Sequence, residues 1–157
     1  MFPWRQEQQQ EQPAFTSLKR PNYITALSKN RISEDQIKEK PAIYGAIIRS
    51  INGYYALVQG RSTGKWSFPK GHANEGESPF DCVCREIQEE IGCTKLPMPT
   101  TSLSLQVGYY YIFDVETEFE LKPQDTKEIA QAGWFKPEEI RTMSINVDIS
   151  HFIQRLK

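Results

Sequence analysis

Three glutamates, Glu86, Glu89 and Glu90, lie within five residues of one another, and Arg85 directly precedes them. The stretch around them reads as one helix. Ser78-Pro79-Phe80-Asp81 supplies an N-cap serine, a proline at the first helical position and an acid at the third, and Gly92 supplies the stop. At 100° per residue, Phe80, Val83, Cys84, Ile87 and Ile91 fall within a stripe about 100° wide, and the three glutamates gather on another side. Like charges at these spacings repel by up to ~0.5 kcal/mol per pair even in water. Such an edge is either a solvated acidic face or a set of oxygen ligands awaiting a cation. Gly71 precedes the helix in a Pro-Lys-Gly turn and offers a backbone carbonyl, a hard oxygen of the same kind. Oxygen ligands in partial supply suit Mg2+ or Mn2+, which keep positions open for water and phosphate.

The elements that must carry this helix follow from the rest of the chain. Ala42–Ile48 and Tyr54–Val58 are strand-like runs joined through Asn52-Gly53, a pair suited to a tight hairpin. Trp66-Ser67-Phe68 is a short extended piece ending at Pro69. Alternate apolar positions from Leu103 to Val115 predict one long half-buried strand. Gly133-Trp134-Phe135 predicts a last short strand, Pro137–Ile140 a helical turn, and Asp148–Leu156 a C-terminal helix with Ile149, Phe152, Ile153 and Leu156 on one face.

Length and composition bound the classes of function. The 157 residues suit one domain, or one domain and a tail. Residues 1–40 read as a polar, partly basic tail and leader: Gln6–Pro13 is of low complexity, and Lys19, Arg20, Lys29 and Arg31 are bases without an intervening acid. Residues 41–157 read as the domain. A net charge of −1 excludes a protein that grips nucleic acid by overall positive charge, although the leader's four bases could meet an RNA backbone. No apolar run reaches the roughly 20 residues that span a bilayer. No secretory signal opens the chain, and three clustered cysteines (Cys82, Cys84, Cys93) make no disulfide framework, so an intracellular, cytoplasmic protein is expected. Cys82 and Cys84 diverge around the helix and do not suggest zinc. His72 and His151 have no partner at ligand spacing.

Gly71, five residues, Glu77, seven residues, then Arg85-Glu86-Ile87-Gln88-Glu89-Glu90-Ile91-Gly92-Cys93 resembles the Nudix box of hydrolases acting on nucleoside diphosphates linked to another moiety. The resemblance covers about residues 42–155. It implies an α/β fold, the Nudix α/β/α sandwich around a mixed β-sheet. It also implies metal ligation by Gly71, Glu86, Glu89 and Glu90 with Mg2+ or Mn2+, Arg85 orienting a glutamate, and Glu77 in a supporting place. The general base is then one of Glu86, Glu89 and Glu128. A non-catalytic Nudix binding module would be expected to have lost box glutamates, which this chain keeps.

Two features narrow the substrate. Trp66-Ser67-Phe68-Pro69-Lys70-Gly71 resembles the form found in mRNA-decapping Nudix enzymes, and in some hydrolases of dinucleoside or diphosphoinositol polyphosphates, with Lys70 placed to meet a phosphate. Downstream, Glu128-Ile129 and Trp134-Phe135 resemble the decapping catalytic domain, which implies Glu128 as a base reaching back toward the metals. The expected reaction is cleavage of the 5′ cap of mRNA to m7GDP and 5′-monophosphate RNA. The alternative is hydrolysis of a dinucleoside or diphosphoinositol polyphosphate, for which one of Tyr109, Tyr110 and Tyr111, with Tyr109 preferred, would stack on a base. The polar leader is too short to supply the helical regulatory domain of the eukaryotic decapping subunit. A compact, stand-alone decapping enzyme, of the kind some large DNA viruses encode, is the better expectation.

Overall fold

The computed structural model describes residues 43–156; the tail and leader, with Lys19, Arg20, Lys29 and Arg31, lie outside the described residues. The elements in chain order are β1 (Ile43–Ser50), β2 (Tyr55–Gly60), β3 (Trp66–Ser67), β4 (Lys70–His72), α1 (Pro79–Ile91), β5 (Thr101–Ser104), β6 (Tyr109–Val115), β7 (Ile129–Phe135), α2 (Pro137–Ile140) and α3 (Val147–Arg155). The strands form one mixed sheet of order β3-β2-β1-β6-β5, with β4 paired to β1 and β7 to β2. The β1–β2 hairpin turns at Gly53, and the β1–β6 pair at the centre is parallel.

Period-two alternation sorts the sheet's side chains into two cores. Ala46, Ile48, Ala56, Val58, Tyr111, Phe113 and Val115 meet α1 through Phe80, Val83, Cys84, Ile87 and Ile91. Ile47, Tyr55, Leu57, Tyr110 and Ile112 meet α2 and α3 through Ile140, Ile149, Phe152 and Ile153. The result is the expected α/β/α sandwich. The central strands read as nearly continuous apolar runs because both their faces are covered.

The expected single strand over Leu103–Val115 is two strands. β5 and β6 pair antiparallel across a tight turn in which the Leu105 N–H donates to the Gly108 carbonyl at 2.9 Å. Apolar residues continue through that turn, so alternation could not reveal the reversal. The turn is latched from α3. The buried Asp148 carboxylate accepts from the N–H groups of Val107 (2.8 Å) and Gly108 (2.9 Å) and from the Tyr110 hydroxyl (2.6 Å). β7 also begins earlier than expected, at Ile129, because pairing with β2 carries the weakly strand-forming Ala130–Gly133 along.

Replacing Asp148 by alanine strands three donors at once, each costing about 1–3 kcal/mol when buried and unpaired. Asp148→Ala should therefore lose at least about 2 kcal/mol in urea unfolding, with Asp148→Asn losing less. A variant as stable as the wild type would remove the latch from the account.

Candidate active site

α1 forms as its sequence directs. The Ser78 side chain accepts from the Asp81 N–H, and Gly92 closes the helix at φ 71°. A Cβ at Gly92 would also run into the Lys122 carbonyl, so the loop that crosses the helix end requires glycine there. One face of α1 lies against β1 and β4. The expected Pro-Lys-Gly turn is strand β4, with Gly71 opposite Tyr44 of β1. This places Gly71 directly beneath the helix: a Cβ built there would fall inside the Glu86 carboxylate.

The three box glutamates do not share one solvated edge. Glu86 and Glu90 are buried, at 7% and 6% exposure, while the Glu89 side chain is 42% exposed. Arg85 is the hub of the region. Its guanidinium holds Glu77 through two bonds (Nε to Oε2, 2.8 Å; Nη2 to Oε1, 2.9 Å), Glu86 at 2.9 Å, Glu89 at 3.4 Å and the His72 carbonyl at 2.9 Å. Glu77 in turn accepts from the Asn74 N–H at 2.8 Å. It thus fixes Arg85 and the loop before the helix, and the arginine holds its carboxyl below the usual carboxylate range. The two-pronged Glu77 contact uses the planar fork that only arginine offers, and it leaves Nη1 to align Glu86.

Glu90 lies one turn further along the same side of the helix, and its carboxyl shares a hydrogen bond with that of Glu86. Its Oε1 accepts from the Lys70 N–H at 3.2 Å, and the Lys70 side-chain charge also favours its ionised form. Both buried carboxyls are nonetheless pushed up toward neutrality. Burial is the main cause for each. The Glu89 charge adds to it at Glu86, and the charges of Glu86 and Glu128 add to it at Glu90. The exposed loop acid Glu128 is therefore brought to the box from outside it. Its loop is strapped to the end of α1, where the Glu89 and Ile91 carbonyls accept from the N–H groups of Gln124, Asp125 and Lys122 at 2.8–2.9 Å. Trp134 ties the start of the same segment by donating from its indole to the Phe119 carbonyl at 2.7 Å.

Five carboxylates (Glu77, Glu86, Glu89, Glu90, Glu128) meet two cations, Arg85 and Lys70. The surplus of negative charge at buried oxygens, with the Glu86 carboxylate packed directly against Gly71, fits a hard divalent cation. Among the described residues, no three acidic, thiol or imidazole groups close into a ready cage. A cation held here would complete its shell with the Gly71 carbonyl, water and substrate phosphate. The Gly71 carbonyl already accepts from the buried Cys82 thiol at 3.6 Å, a contact that helix spacing alone could not foretell. Tyr109 lies two strands from Gly71, half-buried. Its ring is edge-on to Tyr44 and Tyr111, and its hydroxyl shares a hydrogen bond with Ser102.

The NUDIX domain model matches residues 39–156. The chain belongs to the Nudix family. It is 31% identical over 124 residues to the m7GpppN-mRNA hydrolase of Saccharomyces cerevisiae, an alignment covering 74% of this chain and 13% of that protein. It is 37% identical over 86 residues to the NAD-capped RNA hydrolase of Mycobacterium tuberculosis, covering 48% of this chain and 26% of that one. The chain thus spans only a small part of the length of these curated relatives. Its Nudix fold superposes on an Ap4A hydrolase from C. elegans with a TM-score of 0.61 at 20% identity, covering 73% of this chain and 94% of that chain. Nudix hydrolases generally use a divalent metal, which agrees with the charge surplus of the box.

Two outcomes follow from this geometry. Gly71→Ala should fold with a loss of about 1–3 kcal/mol, because the buried, Arg85-held Glu86 carboxylate must give way, and should lose most activity as that carboxylate moves. Full activity in Gly71→Ala would show that the close approach is dispensable. In chelator, folding stability should fall as pH rises from the ordinary carboxyl value of 4.5 through about 7 and 8, because the folded state retains protons there that the unfolded chain releases. Glu90→Gln should flatten that fall and raise the melting temperature at pH 8 by roughly 2–4 °C for each kcal/mol of strain relieved. A flat wild-type profile would refute the burial argument.

Proposed function

We propose that this Nudix domain hydrolyses the 5′ cap of RNA, releasing m7GDP and 5′-monophosphate RNA. The observation that carries this reading is the placement of Glu128, a carboxylate from outside the box, within electrostatic reach of Glu90. Similarity to the yeast m7GpppN-mRNA hydrolase over 74% of the chain supports the same substrate class. Glu86, Glu89, Glu90 and the Gly71 carbonyl would hold Mg2+ or Mn2+. When bound, such ions polarise phosphoryl oxygens and lower the pKa of coordinated water.

The chain's own residues do the rest. Arg85 keeps Glu86 aligned, and Lys70 meets a phosphate oxygen of the substrate from β4. Glu128 takes the proton of the attacking water as its oxygen joins phosphorus, and the phosphoanhydride bond on the far side breaks to free 5′-monophosphate RNA. Glu128 is suited to this role by exposure, since a base must exchange protons with solvent between turnovers. Tyr109 lies one strand beyond Tyr44 on the same face of the sheet as α1, where it would border the base carried by the substrate.

The test is product analysis with Mg2+ and, separately, Mn2+, using m7G-capped RNA, NAD-capped RNA and diadenosine tetraphosphate labelled in the phosphate chain. Release of m7GDP well ahead of the other products is expected. Faster cleavage of the NAD cap or of the dinucleotide would move the substrate away from m7G caps. Glu128→Gln should lower kcat by about 10²–10⁴-fold, the range for loss of a general base. Retention of near wild-type kcat would return that role to Glu86 or Glu89.

A further inference from the structure

Glu128 sits on an exposed loop, and an exposed loop does not by itself hold a base where a reacting water will be. The strap to the end of α1 fixes residues 122–125 only. What fixes 126–129 comes from the neighbouring strand, in the turn after β2, where Gly60 pairs with Ile129 at the start of β7. That turn is itself braced: the Gly60 N–H donates to the Lys65 carbonyl and the Gly64 N–H to the Gly60 carbonyl, both at 2.9 Å, and the Gln59 side chain donates to the Gly64 carbonyl at 3.0 Å. Arg61 projects from it. Its backbone N–H donates to the Glu128 carbonyl at 2.7 Å. Its Nε donates to the Thr126 carbonyl at 3.0 Å, and its Nη2 to the Ile129 carbonyl at 3.3 Å. One residue therefore grips three of the four carbonyls from 126 to 129.

We infer that Arg61 is a positioning residue for Glu128, clamping the backbone of its loop so that the carboxylate is held in one place at the edge of the box; this rests on Glu128 serving as the base. The contact is directed at carbonyls, so it restrains geometry without neutralising the base. The fork also fixes orientation: two nitrogens of one rigid plane reach carbonyls three residues apart. A lysine could satisfy at most one of them at a time. From the loop's own side, the Glu128 N–H donates to the Asp125 side chain at 3.3 Å and the Ile129 N–H to the Asp125 carbonyl at 3.0 Å, which rounds the loop toward Arg61.

The experiment is a double-mutant cycle on the full chain with Arg61→Ala, Arg61→Lys, Glu128→Gln and Arg61→Ala/Glu128→Gln. It reads kcat and KM on capped RNA, or on diadenosine tetraphosphate if that is the faster substrate. Arg61→Ala should lower kcat about 10–100-fold with KM within about 2-fold, Arg61→Lys should recover part of it, and in the Glu128→Gln background Arg61→Ala should change kcat less than about 2-fold. Amide hydrogen exchange at residues 126–129 should speed up in Arg61→Ala while that of β1 and β6 stays unchanged. Losses that multiply across the cycle, an unchanged kcat in Arg61→Ala or unchanged exchange in the loop would each overturn the inference. If Glu128→Gln alone keeps the wild-type rate, the reading of Glu128 as the base fails with it. Multiplying losses beside an inactive Glu128→Gln would sink the Arg61 inference and leave that reading standing.

Discussion

Two carboxylates buried side by side on one helix, with too little positive charge around them, are the constraint from which the site's other features follow. Removing a carboxylate from water is expensive unless it is paired or protonated. Glu86 receives part of one arginine and a hydrogen bond with the Glu90 carboxyl, and Glu90 one N–H and a nearby ammonium. Neither is fully compensated, so both carboxyls rise toward neutrality when nothing else is bound. Gly71 lacks a side chain because Glu86 fills the space above it. Arg85 is shared among Glu77, Glu86 and Glu89 and is steadied by Glu77, the partner that it holds by two prongs.

The sandwich exists to hold that arrangement still. The central parallel pair β1–β6 is covered on both faces, and α1 lies against β1 and β4. On the far face, Asp148 of α3 pins the β5–β6 turn and the Tyr110 hydroxyl. A rigid strand thus carries Gly71 and Lys70, a rigid helix carries the box glutamates, and the one catalytic candidate on a loop is tied at both flanks. This division is physically reasonable. Ligand oxygens need fixed positions, whereas a base needs solvent access, and a doubly strapped loop provides access with restraint.

Much of this was legible in the residues. Ser78 and Gly92 mark the helix ends, the apolar stripe marks its buried side, and the fixed positions from Gly71 to Gly92 mark the family. Helical spacing could not say that Glu86 and Glu90 are buried while Glu89 is half-exposed, because that depends on β4 running beneath the helix, and three residues Lys70–His72 carry no strand signal of their own. The β5–β6 reversal was hidden by apolar residues on both sides of Gly108. Arg61 and Asp148 were illegible for a common reason: each acts on backbone groups far away in sequence, and backbone groups have no letter in a sequence. Glu128 was visible only through family resemblance, since locally it is one more exposed acid.

The most direct test of the central claim is a carboxyl-carbon NMR titration of the metal-free protein with labelled glutamate, repeated with Mg2+. Glu86 and Glu90 should titrate as a coupled pair well above the ordinary glutamate value of 4.5, and Mg2+ should drive both down toward or below it. Ordinary, independent titrations at both positions, unmoved by Mg2+, would contradict it. The box would then be an acidic surface with no stored demand for a cation.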